Sequence, residues 1–295
     1  MKIKFFMDSS CDAREQYVID NDIHIFPMIV NFSDKSYQDW VELKSEQFYD
    51  LLTHSKELPT TSQPSIPDIE EHFRDALKTH DAVFCISLSS QGSGTYNACV
   101  SAKDNILADT PDAKIEIIDS MGYSHFLMRM MDEALRLYKA GKSIDEMVAG
   151  VKNAREHMTV CVVVDTLKYL EKGGRINKAS LIMGTLLDLK PVLTVKKGVM
   201  ESIDKFRGSK TVMAKMLAKL HQMDINAENP NFYIVHANVP ERAQQLAEAL
   251  EAEYGEKGKI NMLSPIGATV GTHIGPGTLA VFFDTNKPQE PIYED

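Results

Sequence analysis

Cysteine is scarce in this chain. There are four in 295 residues, Cys11, Cys85, Cys99 and Cys161, with no C-x-x-C pair and no His/Cys ligand spacing. That argues against a structural zinc site, and the apolar flanks FCIS, ACVS and TVCVVV predict buried, reduced thiols. Basic side chains are also in deficit, 32 against 42 acidic, for a net charge of -10. Such a balance argues against a protein that grips nucleic acid or anionic lipid through bulk charge. No segment reaches the ~18 apolar residues of a membrane span. The apolar start of MKIKFFMDSSCD turns polar too soon for a secretory core, so a cytoplasmic protein is expected. Repeats, low-complexity tracts and heptads are lacking as well. With 43% hydrophobic and 25% charged residues, what remains is an ordinary globular composition with enough apolar material for a large core.

Short runs of β-branched and aromatic residues predict strands over 3–7, 23–32, 82–88, 114–119, 159–164, 192–198, 232–237 and 279–284. Between them, helix-period segments cover 66–79, 95–107, 124–140, 144–158, 211–223 and 241–254. Strand alternating with helix predicts an α/β architecture with a largely parallel sheet flanked by helices. After Met158 the pattern becomes mixed, and VLTVKKGVMESIDK predicts a hairpin turning at Gly198. Two α/β domains are therefore expected, 1–158 with a mostly parallel sheet and 159–295 with a mixed one, the ligand lying between them.

Four segments carry candidate chemistry. In AVFCISLSSQGSGTYNACV a strand enters a Ser/Gly loop that opens a helix near Thr95, an arrangement that aims amides and a helix dipole at one point. Gly92 and Gly94 permit close approach and Ser93 supplies a hydroxyl, which suits an anionic head group; the same residues also serve plain helix capping. The loop has no Lys and is not a Walker A motif. In ELPTTSQPSIPDIEEHF, Thr60, Thr61 and Ser62 precede two prolines that fix a loop, and fit either a donor or a capping role. Asp8, Ser9, Ser10 and Asp12 come after the first strand, where two carboxylates fit a metal or a base, or more simply cap the next helix. In the second half, Arg175 comes after a glycine pair, Arg207 sits in IDKFRGSK, and a single His273 lies in a Gly-rich loop before the last strand.

At these motifs the sequence resembles the DegV family. The likeness runs through MDSSCD (7–12), TTSQPS (60–65), SLSSQGSGTYNA (87–98), LEKGGRI (170–176), KPVL (190–193) and IGATVGTHIGPGTLAVFF (266–283). It departs where the family commonly has a Leu and this chain has Gly92, and where the family commonly has Pro-Val and this chain has Ala268 and Thr269. The resemblance implies a two-domain α/β lipid-binding protein, not itself an enzyme, that buries the tail of one long-chain fatty acid. It implies that Thr61 and Ser93, with Ser62 and Gly94 beside them, bind the carboxylate. Arg175, Arg207 and His273 correspond to basic positions around the head group or a partner. Neither metal nor cofactor is implied. The implied partner is a dihydroxyacetone-kinase-like fatty acid kinase subunit that makes acyl phosphate for phospholipid synthesis; nucleic acid is not implied, and membrane contact is at most transient. Two alternatives stand beside this one. A stand-alone enzyme would act on a small phosphorylated or carbonyl substrate through His273, Asp8 and the Ser/Gly loop. A regulator would use the bound lipid to report supply.

Overall fold

A computed structural model describes residues 1–177, 189–208 and 211–289. The first stretch runs β1 (Ile3–Asp8), α1 (Glu15–Asp20), β2 (Ile23–Phe26), β3 (Ile29–Asn31), β4 (Ser36–Gln38), α2 (Ser45–His54) and β5 (Thr60–Ser62). It continues through α3 (Ile66–Leu77), β6 (Ala82–Ser87), α4 (Thr95–Asp109), β7 (Ile115–Asp119), α5 (His125–Lys139) and α6 (Ile144–Glu156). Then come β8 (Met158–Val163), α7 (Lys168–Gly173), β9 (Leu189–Lys196), β10 (Val199–Arg207) and α8 (Val212–Leu220). The described chain closes with β11 (Tyr233–His236), α9 (Pro240–Tyr254), β12 (Met262–Pro265), α10 (Ala268–Ile274) and β13 (Leu279–Asp284).

Three sheets form. The parallel sheet has the order β2-β1-β6-β7, a small antiparallel sheet has the order β4-β3-β5, and a mixed sheet has the order β10-β9-β8-β13-β11-β12. In the mixed sheet only the β11–β12 pair is parallel; its other pairs are antiparallel. The period of two along the strands explains the layering. Phe5 and Met7 of β1, with Phe84 and Ile86 of β6, enter a core that also holds α5. Phe6, Val83 and Cys85 face the other way, against Phe73 of α3 and Ala98 and Ala102 of α4. The mixed sheet does the same. Val160, Val162, Val235 and Phe282 join the α5 core, while Cys161, Ile234, Val281 and Phe283 face α8 and α9. All four cysteines are buried and free. Among the described residues no helix is long and apolar enough to cross a membrane.

Three expectations need correction. The strand expected over 23–32 is two strands in different sheets, because Pro27, with no N–H to donate, interrupts the ladder. Thr60, Thr61 and Ser62, expected in a loop, form β5 and pair with β3 in the register Val30 to Thr61. His273, expected in a loop, is on α10, a helix obscured in the sequence by the glycines within and beside it and packed against α2 and α7. The hairpin formed as expected: Lys197 and Gly198 turn with φ of 48° and 78°, the signature of a type I′ turn. A Cβ on Gly198 would lie 2.5 Å from Ser89 Oγ and 2.9 Å from the Met121 methyl carbon. Gly198→Ala is therefore expected to cost roughly 2 kcal/mol or more, from φ strain plus overpacking. Urea unfolding checks this, and an unchanged midpoint would contradict it.

Candidate functional site

The carboxyl edge of the parallel sheet is organised by three buried carboxylates. Asp8 ends β1 and accepts from Leu88 N (2.9 Å), Ser87 Oγ (3.2 Å), Ser10 N (3.1 Å) and the Ser10 hydroxyl. Asp12 accepts from Ser124 Oγ (2.5 Å) and Gly267 N (2.7 Å). Asp39 accepts from Ser9 Oγ (2.9 Å), Ala268 N (3.3 Å), Thr269 N (3.1 Å) and Thr269 Oγ1 (2.5 Å). Burial pushes all three carboxyls above their usual range, Asp12 to about 8, while these hydrogen bonds pull the other way. Asp8 and Asp12 thus do not cap α1, which has no side-chain cap; they fix the Ser/Gly loop and the residue before α10. Among the described residues no group of three His, Cys, Asp or Glu is arranged to hold a metal ion.

Between these elements lies a cavity of about 330 Å³, within the usual range for small-molecule sites. Met28, Leu88, Leu170, Met200, Val270 and Ile274 supply most of its apolar wall. Its polar groups are held in short-range hydrogen bonds. Thr61 Oγ1 lies 2.8 Å from His273 Nε2, and Ser93 Oγ lies 2.9 Å from Thr95 Oγ1. Gln63 packs against Gly94, and Arg175 donates from Nε to Gly92 O at 2.9 Å. Arg175 is the one charged residue among the described residues lining the cavity, so the net sign of the wall is positive. Ser62 also lines it, and its hydroxyl accepts from Asn31 Nδ2 at 3.0 Å.

Of the residues singled out in the sequence, Thr61, Ser62, Ser93, Gly94, Arg175 and His273 line this one cavity. Arg207 does not. It is exposed at the far end of β10, eight residues from Val199, or about 26 Å along a strand. Sequence reading missed Tyr123, whose hydroxyl donates to Gly198 O at 2.8 Å and which burial keeps protonated, its pKa raised to about 12. The signal was present at Gly92: a Cβ there would collide with the Tyr123 ring and hydroxyl, so the glycine makes room for the tyrosine.

The fold and cavity define an α/β protein with a largely apolar cleft whose polar groups come from β5, the Ser/Gly loop, the segment after α7 and α10. The chain belongs to the DegV family: residues 2–286 match the family model described as "Uncharacterised protein, DegV family". It is 33% identical over 283 residues to the DegV domain-containing protein TTE1491 of Caldanaerobacter subterraneus, covering 96% of this chain and 99% of that one. Its fold matches a fatty-acid-binding DegV family protein from Thermus thermophilus with a TM-score of 0.86 at 27% identity, covering 97% of this chain and 100% of the other. It also matches a stearic acid-binding protein from Eubacterium ventriosum with a TM-score of 0.87 at 25% identity, covering 96% and 98%.

Burial, with Arg175 adding to it, lowers the His273 pKa from 6.5 to about 4, so the imidazole is neutral at pH 7. The unfolded chain binds this proton at higher pH than the folded one. Stability from this group is therefore full above 6.5 and falls as pH drops toward 4. Asp12 runs oppositely: its contribution is full below 3.8 and fades as pH rises toward 8. Comparing wild type with His273→Gln cancels the Asp12 effect. The wild type is expected to lose up to about 3 kcal/mol relative to the variant over the window. Denaturant unfolding across that range checks it, and parallel pH profiles would refute it.

Proposed function

We propose that the chain binds one long-chain fatty acid, its tail in the apolar part of the cavity and its carboxylate at the polar cluster. The observation that carries this reading is the composition of the wall: hydroxyls from β5, the Ser/Gly loop, α10 and Tyr123, one cation, and a stretch of apolar side chains. A carboxylate fits such a cluster, because Ser93 and Thr61 can each donate a hydrogen bond to it, with the neutral His273 beside Thr61 and Arg175 supplying positive charge. Fatty acid binding by structurally similar DegV proteins supports the assignment. A tail of about fourteen methylenes is worth on the order of 11 kcal/mol gross before the costs of association, so the tail gives affinity and the head group gives register. Met28 and Met200 add pliable surface to the wall.

Within this reading the bound acid is presented between the two α/β domains, 1–158 and 159–295, to a separate kinase subunit that phosphorylates the carboxylate. The chain supplies orientation and shelter, and the partner supplies Mg-ATP chemistry. Thr61, Ser62, Ser93 and Gly94 bind the head group, with Arg175 and His273 nearby. Arg207, distant from the cavity, is left to a partner contact.

Mass spectrometry of the denatured purified protein is expected to release a long-chain acid at about one per chain. Ser93→Ala and Thr61→Val should each weaken retention by roughly ten-fold or more, the worth of one hydrogen bond to a charged group, with the melting temperature nearly unchanged. Full retention in both variants would remove the assigned grip. Acyl phosphate should form from the loaded protein and ATP only when a dihydroxyacetone-kinase-like partner is added. Turnover by the isolated protein would favour the stand-alone enzyme, for which the neutral His273 is the available base.

A further inference from the structure

A second cavity, of about 300 Å³, is lined in part by the β9–β10 turn. Its basic residues are Arg155, Lys196 and Lys197, and the one carboxylate among the described residues lining it belongs to Glu156. In a chain with ten more acidic than basic side chains, this is a local reversal of sign. Neither lysine forms an ion pair with a described residue, and both are exposed.

Arg155 is the built part of the site. Its side chain is only 11% exposed. One terminal nitrogen, Nη1, donates to Asp119 O at 3.0 Å. The other, Nη2, lies 3.7 Å from Glu156 Oε1, too long for a good hydrogen bond. Nε is buried with no hydrogen-bond partner among the described residues. A guanidinium held through Nη1, with Nε unpaired and Nη2 only loosely paired with Glu156, keeps donors to offer the oxygens of a tetrahedral anion. A buried N–H donor left without an acceptor is costly, so the site has a standing demand for one. The lysines add point charges at the rim, while Phe126, Met158 and Val195 offer apolar surface to an organic portion.

We propose that this cavity is a second binding site, for a phosphate group carried by a small molecule or a lipid headgroup, with Arg155 as the buried donor and Lys196 and Lys197 as the rim charges. It is separate from the polar cluster around Thr61 and Ser93 and does not depend on the fatty acid reading. The two are nevertheless linked through the chain: Asp119, whose carbonyl takes Arg155, takes the Ser90 and Met121 amides on its carboxylate.

The test is calorimetric titration of the full chain with inorganic phosphate, at low salt and matched ionic strength against chloride. Lys196→Gln/Lys197→Gln should weaken phosphate binding about ten-fold or more, with the melting temperature and the retained lipid unchanged. Arg155→Gln should abolish it; because that residue is mostly buried, the lysine variant decides if Arg155→Gln misfolds. Flotation with phosphatidylglycerol against phosphatidylcholine vesicles distinguishes the sources. Lysine-dependent binding of both phosphate and anionic vesicles supports a headgroup, and of phosphate alone a soluble ligand. Equal phosphate binding by wild type and lysine variant, no phosphate binding at millimolar concentration, or vesicle binding without phosphate binding would each overturn the proposal.

Discussion

Three buried carboxylates hold the candidate site in register, and each reaches a different segment. Asp8 anchors the start of the Ser/Gly loop, Asp12 ties the α5 entry to Gly267, and Asp39 seizes the first amides of α10. The groups gathered at the cavity are far apart in sequence, so no local propensity places Thr61, Ser93 and His273 together. Buried acceptors with several donors each can do so, because breaking one such bond leaves a polar group stranded in a low-dielectric interior. The strain tolerated around them is consistent with that strength. Ser124, which bonds Asp12, sits at φ 57° and ψ -123°, a conformation a serine adopts only under compulsion.

This framework divides the labour inside the cavity. The polar cluster rests on strand, capped loop and helix, with its hydroxyls and imidazole already engaged with one another. Little reorganisation is then needed to receive an anionic group. The apolar wall is different in kind, built in part from Met28 and Met200, whose unbranched side chains adapt to shape. A rigid head-group cluster with a compliant wall discriminates chemistry at one end and tolerates variation in the other.

Much of the fold was legible because it rests on local patterns. The alternation in β1 and β6, the Ser143 capping box that starts α6, and the Lys197-Gly198 turn all arise from short-range chemistry. The site was legible wherever a motif supplied its own donors, as at Ser93 and Thr61. What escaped was tertiary. α10 is a short helix stabilised by Asp39 at its start, more than 200 positions away in the chain, and by packing on α2. Tyr123 entered the wall because Gly92 leaves space for it. Arg207 lies away from the cavity, since a basic residue in a suggestive string says nothing of which end of its strand meets the wall.

The β9–β10 turn lines the basic cavity and meets the first through Tyr123 of its wall, and its geometry limits what passes between them. Gly198 O accepts from Ser89 Oγ and Tyr123 Oη, each at 2.8 Å. Swinging the turn would break both bonds, and both its residues already occupy the left-handed region, where other conformers of the same turn are few. Such a turn is a poor hinge. An occupant on one side could alter affinity on the other only by the difference in its own affinity for two arrangements of what lies between. Asp119 is the residue that touches both sides, its carbonyl holding Arg155 and its carboxylate holding the Ser90 and Met121 amides. Coupling between head-group loop and basic cavity would therefore run through Asp119, whose bonds reach both, and not through the turn.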